Sequence, residues 1–171
     1  MGRSANYSRE SCAVAACLDV VGEPWTLLII RDAFYGVRRF NDYQAHLDIP
    51  KAVLSDRLAG LVADGVLARE PDPDHGGRYL YSLTDQGREL WPALHALLVW
   101  GGRYRYPNSR TFKHAACSTK LDDSGYCATC ELTPPPDDIV MEPRRGRGKL
   151  RDDPVTVALR KPHRLLDPVE A

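Results

Sequence analysis

The sequence predicts a mainly α-helical fold with a small β-hairpin, followed by a short cysteine-rich extension. Three observations predict it. Residues 48–65 place Val53, Leu54, Leu58, Leu61 and Val62 at helical spacing, which gives one apolar stripe and one polar side. Another short helical stretch ends only three residues before this one begins. Two short β-branched and aromatic runs follow, separated by the turn-rich loop PDPDHGG.

Residues 1–10 are polar and read as a flexible N-terminus. From Ser11 to Val21, the residues Ala13, Val14, Cys17, Leu18 and Val21 form a helical stripe with Ser11 in capping position. In that reading Cys17 is a core residue. Gly22 ends the helix and Pro24 opens the next, PWTLLIIRDAFYG, whose apolar density suits a central buried helix ended by Gly36. VRRFNDYQAHL is the third, with Phe40, Tyr43, Ala45 and Leu47 available for packing. In the fourth, Asp48 stands where a cap belongs and Pro50 suits the first helical position, where a missing N–H costs nothing. Gly65 supplies the left-handed residue at its end. VLARE and RYLYSLT are the two strands. Thr84–Tyr104 reads as one long closing helix, capped by Thr84, with Leu90, Leu94, Leu97, Leu98 and Gly101 in its stripe and Trp91 and Trp100 widening it. That is more apolar surface than one small domain needs, and it predicts a homodimer.

Two short helices joined by a three-residue turn, then a strand, a glycine-containing loop and a second strand, give the winged helix-turn-helix order. In that arrangement the second helix of the pair enters the major groove of DNA. The candidate DNA contacts are Arg38 and Arg39 at the start of the third helix, Lys51, Ser55 and Arg57 on the polar side of the fourth, and Arg78 at the exit of the wing loop. Pairing of Arg57 with Asp56 or Glu70 is the structural alternative for that residue.

The runs CAVAACLDVVGEPWTLLIIRDAFYGVRRFNDYQ, IPKAVLSDRLAGLVADGVLARE, RYLYSLTDQGREL and VWGGRY, in that order over roughly residues 12–104, resemble the HxlR-type winged helix-turn-helix transcriptional regulators, relatives of the MarR-type repressors. The resemblance implies a homodimeric, DNA-binding regulator without enzymatic activity, responsive to electrophiles, oxidants or a small molecule. It also implies a thiol-sensor role for Cys12. Three residues depart from the pattern. Pro24 replaces the usual lysine before the central tryptophan, Pro50 replaces the usual serine before the recognition helix, and Ala52 replaces a lysine two residues further on. Lys51 offers a basic group about 100° around the helix from that last position.

Residues 11–106 thus form the DNA-binding and dimerisation domain, 107–133 a Cys/His-rich segment, and 134–171 a proline-rich linker with a basic tail. His114, Cys117, Cys127 and Cys130 have the spacing H-x2-C-x9-C-x2-C, two close ligand pairs of the kind a tetrahedral zinc site requires. No glycine follows the second pair. Three free thiols, or a Cys127–Cys130 redox pair, are the alternatives this spacing leaves open. LTPPPDD reads as a stiff linker. Beyond it, Arg144, Arg145 and Arg147 resemble a short minor-groove arm, with a solvated basic connector as the alternative. Val155, Val157 and Leu159 alternate as a strand would.

Lys plus Arg and Asp plus Glu both count 23, so net charge points to no class of partner. The absence of a signal-peptide core and of any membrane-length apolar run predicts a cytoplasmic protein without a membrane partner. Five cysteines in that setting suggest thiols or metal ligands rather than disulfides. No phosphate loop, paired carboxylates or nucleophile triad is present, and His46, His75, His95 and His163 are scattered, which excludes the common enzyme classes. A winged-helix protein-interaction module and a redox-active dithiol protein are the other readings.

Overall fold

The computed structural model describes residues 11–106, 110–143 and 151–170. The stretch read as a flexible N-terminus lies outside them. Helix α1 (Ala13–Val21) runs into α2 (Thr26–Phe34), whose Ile29, Ile30 and Phe34 are fully buried as its apolar density predicts. Helix α3 (Phe40–Leu47) buries Tyr43 and Leu47, and α4 (Lys51–Ala63) buries Leu54, Leu58 and Leu61 along one stripe. Strands β1 (Leu67–Pro71) and β2 (Tyr79–Leu83) form an antiparallel hairpin in the register Leu67 to Leu83 and Pro71 to Tyr79. The segment before α3 adds a third edge: Arg39 bridges to Leu80, and the Tyr81 N–H donates to the Arg38 carbonyl at 2.8 Å. The chain closes with α5 (Asp85–Arg88) and α6 (Trp91–Tyr104).

Local chemistry differs from expectation at four places. Cys12, not Ser11, is the N-cap of α1, and Cys17 is exposed rather than part of the core. Asp48 does not cap α4; it takes φ 55° and ends α3 in the left-handed conformation, leaving Pro50 as the N-cap of α4. The single closing helix is two. The Thr84 hydroxyl accepts from the Gly87 N–H as predicted, but Pro92 sits in the first turn of α6, where its missing N–H is tolerated, and the chain starts a new helix there. Finally, residues 154–158 are not a strand.

The C-terminal part is folded onto the helical part. Strand β3 (Arg110–His114) pairs antiparallel with β4 (Ile139–Pro143), and β4 with the two-residue β5 (His163–Arg164). The proline-rich stretch read as a linker supplies a 3-10 turn at Pro136–Asp138 and leads straight into β4. Between β4 and β5, α7 (Pro154–Ala158) packs on α3. Helix α7 replaces the expected strand because Asp153 caps it through the Thr156 N–H at 2.9 Å and Pro154 opens it. Val155 and Leu159 are then buried one turn apart while Val157 is 45% exposed, and an i, i+4 pair also fits a period of two.

Beyond β5 the backbone docks on the end of α2. The Leu166 and Val169 N–H groups donate to the carbonyls of Phe34 and Gly36 at 2.8 and 2.9 Å. Gly36 has φ 82°, and a Cβ there would lie 1.7 Å from the Asp167 carbonyl oxygen, so both backbone angle and space demand glycine. Aromatic rings continue the joint: Phe34–Trp91 and Trp91–Phe112 centroids are each 5.2 Å apart, and His95–Phe112 5.5 Å, linking α2, α6 and β3. Phe112, Ile139, Met141, Val155, Leu159 and Leu165 share one core with the helices. No single described helix is long and apolar enough to cross a membrane.

The helical assignment of α7 is testable by urea unfolding. Leu159→Ala, fully buried, is expected to cost about 2–5 kcal/mol, whereas Val157→Ser should stay within roughly 0.5 kcal/mol of wild type. Equal losses at the two positions would indicate strand-like burial instead.

Candidate nucleic-acid interface and thiol cluster

Ile49, fully buried in the Asp48–Pro50 turn, pins α4 against α3. With Leu54, Leu58 and Leu61 facing inward, the opposite side of α4 exposes Lys51 and Ser55 in its first two turns. Arg57 is half-buried and its partner is Glu23, at 3.6 Å, rather than Asp56 or Glu70. Arg38 is also half-buried; its Nε has no hydrogen-bond partner among the described residues.

Asp72 organises the wing. Its side chain is only 1% exposed and takes Arg39 Nε at 3.3 Å, His75 Nδ1 at 3.3 Å and the Asp74 N–H at 3.0 Å. Burial alone would raise its carboxyl, but the Asp74 amide and the Arg39 guanidinium, helped by His75, hold it below the usual carboxylate range. Arg39, read from the sequence as a DNA contact, is therefore engaged in tying the wing to the start of α3. Arg78 is exposed at the wing, and Arg69, which the sequence reading did not single out, is exposed on β1 with its guanidinium 4.1 Å from the Tyr79 ring centroid. Between the wing and the start of α3 is a cavity of about 470 Å³.

The four predicted ligands come together. His114, Cys117, Cys127 and Cys130 place their donor atoms within 4.8 Å of one another, His114 and Cys127 buried and the other two half-buried. Cys117 Sγ lies 3.4 Å from both His114 Nδ1 and Cys127 Sγ. The two halves have the same backbone. His114 and Cys127 donate their N–H to the carbonyls of Thr119 and Leu132, each five residues on, at 2.9 and 2.8 Å. Ser118 and Glu131, each directly after the second ligand of its pair, take φ 59° and 54°, so non-glycine residues fill the left-handed position that the missing glycine would have served. His114 Nε2 is held by Asp138 Oδ2 at 3.0 Å, which aims Nδ1 at the sulfurs. Asp138, a residue missed in the sequence because nothing in PPPDD marks it, also accepts from Arg164 at 3.2 Å.

Crowding polarises the group. Hydrogen bonds from the Thr119 hydroxyl and amide, then from Cys127 and Cys130, bring the Cys117 thiol down to about 6, while the bond to Cys117 and burial push Cys130 up to about 11. His114 is raised by its bonds to Cys127, Asp138 and Cys117 against burial. Three sulfurs and an imidazole this close suit a cation of the soft or borderline class, and the cluster can hold a metal ion.

Cys12 is exposed, and the Ala15 and Val14 amides at the start of α1 lower its thiol. Helix α1 exposes Val14 and Leu18, and α6 exposes Leu97, Trp100 and Tyr104. Arg144, Arg145 and Arg147 lie outside the described residues.

A sequence model described as HxlR-like helix-turn-helix matches residues 20–109. The HTH-type transcriptional regulator Rv3095 of Mycobacterium tuberculosis strain H37Rv is 38% identical over 140 residues, 80% of this chain and 89% of that one. An alignment of that length cannot fit within residues 1–109, so the likeness continues into the C-terminal part. Among solved structures, PA1607, a candidate transcription factor, is 42% identical over 59% of this chain and 70% of its own, with a TM-score of 0.55. The redox regulator HypR in its reduced form is 31% identical over 55% of this chain and 94% of its own, with a TM-score of 0.51.

The role of Asp72 predicts a pH signature. A carboxyl depressed on folding stabilises the fold above its unfolded pKa, and that contribution is lost as pH falls through the folded value. The stability advantage of wild type over Asp72→Asn should persist down to about pH 4 and close below it. Urea midpoints across that range would measure it; a pH-independent difference would mean that the charge of Asp72 is immaterial.

Proposed function

Because the chain belongs to the HxlR-like helix-turn-helix family, whose members here are transcriptional regulators rather than enzymes, we propose that it represses transcription by binding duplex DNA as a homodimer. The observation that carries this reading is the front of α4, where Lys51 and Ser55 stand exposed over a fully buried back one short turn after α3. Helix α4 enters the major groove, and Arg78 with Arg69 on the wing meets the flanking phosphates. Arg38 and Arg57 are contacts only after side-chain rearrangement, since one has its Nε buried and the other is paired with Glu23. Dimerisation is supported by the exposed apolar faces of α1 and α6, where Trp100 is 52% and Tyr104 61% exposed.

The thiol cluster holds zinc, bound by His114, Cys117, Cys127 and Cys130, with Asp138 as the carboxylate behind the histidine. With four protein ligands and none left for substrate, the ion is structural. It fixes the turn that carries β3 and β4 and, through them, the docking of the segment after β5 on the end of α2. Response to oxidants or electrophiles through Cys12 is the accompanying regulatory reading, favoured by its exposure and lowered thiol and by the likeness to a redox regulator.

Fluorescence anisotropy on the protein's own upstream DNA tests the first part. Affinity should fall by about 0.9 log units per phosphate contact for each decade of salt. Lys51→Ala and Arg78→Ala should each flatten that slope by about one contact, and Trp100→Glu should give a weakly binding monomer by light scattering. Diamide should release wild type but not Cys12→Ser. A flat salt response or no duplex binding would leave a protein-interaction module. For the second part, elemental analysis of untagged protein should find one zinc per chain, and Asp138→Asn should weaken zinc binding by about 10–100-fold. Metal-free protein with native structure would remove the zinc reading.

A further inference from the structure

The four residues of the thiol cluster are not equivalent. His114 and Cys127 are buried, whereas Cys117 and Cys130 are half-buried and reachable from solvent. His114 belongs to β3, and the three cysteines lie in the turns between β3 and β4. Cys117 Sγ and Cys127 Sγ, one from each ligand pair, are 3.4 Å apart. A disulfide bond is about 2.0 Å long, so the two sulfurs need to converge by about 1.4 Å. Sulfurs that hold a cation are thiolates, and the thiolate is the form that peroxides oxidise.

Given zinc at this cluster, the reading on which the inference rests, we propose that the site releases its ion on oxidation, independently of Cys12. Hydrogen peroxide joins Cys117 to Cys127, and the end of α2 loses one of its anchors.

The Cys117 thiolate, more accessible than that of Cys127, attacks one oxygen of the peroxide. The O–O bond breaks, the departing hydroxide takes a proton from solvent to become water, and Cys117 is left as a sulfenic acid. The Cys127 thiolate then attacks Cys117 Sγ. An S–S bond forms, and the second hydroxide leaves and is likewise protonated to water. The two thiolates supply the two electrons that reduce the peroxide, giving one disulfide and two waters. His114 and Cys130 remain, two donors where a tetrahedral ion needs four.

The disulfide spans the turns alone. A metal cross-link, by contrast, includes β3 through His114, whose Nε2 meets Asp138 at 3.0 Å. Asp138 in turn accepts from Arg164 at 3.2 Å, two residues before the Leu166 N–H that donates to Phe34. Oxidation withdraws His114 from the cross-link and so loosens the docking of Leu166 and Val169 on the end of α2.

The test uses zinc-loaded full chain carrying Cys12→Ser and Cys17→Ser, whose three remaining thiols are those of the cluster. Hydrogen peroxide should release one zinc per chain to a zinc-binding chromophore, with loss of two thiols. Peptide mapping should place the bond between Cys117 and Cys127, and dithiothreitol with added zinc should reverse the change. Cys117→His keeps four donors but lacks the attacking sulfur, and it should retain its zinc under the same treatment. Amide hydrogen exchange at Leu166 and Val169 should be faster in the oxidised protein. Protein without zinc at the outset overturns the zinc reading and this proposal together. Zinc-loaded protein that keeps its ion under peroxide overturns this proposal alone. So would a Cys127–Cys130 disulfide, undiminished zinc release from Cys117→His, or unchanged exchange at Leu166 and Val169.

Discussion

A single buried carboxylate fixes how α3, and through it α4, sits on the rest of the molecule. Asp32 lies on α2 with no solvent exposure, bound by Arg31 on its own helix and by His46 on α3. An ion removed from water costs several kcal/mol unless it is paired, and breaking such a pair costs more than the pair ever contributes. Any slide of α3 along α2 would break the His46 contact, so this position of α3 is strongly favoured. Burial, then the nearby Asp32 charge, pushes the Tyr43 phenol on α3 well above its ordinary range, and the ring stays neutral in the core. Helix α4 inherits its position from α3 through the short turn at Ile49.

The C-terminal extension acts on the same joint. From His114 the connection runs to Asp138, to Arg164 on β5, and two residues later to the Leu166 N–H on the Phe34 carbonyl, where α2 ends. Helix α7 presses on α3, and Arg151 donates to the Ala45 carbonyl at 3.0 Å. A disturbance at the thiol cluster therefore has a continuous covalent and hydrogen-bonded route to the helices that carry Lys51 and Ser55. The extension is a brace on α2 and α3.

What the sequence made legible was local. Helix α4 could be read because Leu54, Leu58 and Leu61 repeat at its own period, and the hairpin because PDPDHGG separates two β-rich runs. The ligand cluster was legible because its four members fall within 17 residues, counted from His114 to Cys130. Errors arose where one pattern serves two structures. Val155 and Leu159 fit a strand and a helix equally, Asp48 can cap a helix or end one, and the prolines before Asp137 look like a linker although they lead into a paired strand. Residues whose roles depend on distant partners left no trace: Asp138 meets His114 across 24 positions and Arg39 meets Asp72 across 33.

The hydrogen bond from Leu166 to Phe34 joins residues separated by most of the chain. During synthesis, helices α1 to α4 leave the ribosome long before the segment that completes the end of α2 has been made. Closing so wide a loop is entropically slow, whereas the cysteine-bearing turn spans few residues and can form by itself. Loop length favours local formation of the helices and of the cysteine-bearing turn ahead of their docking. A chain that ends before Leu166 would leave the Phe34 and Gly36 carbonyls at the end of α2 without these donors.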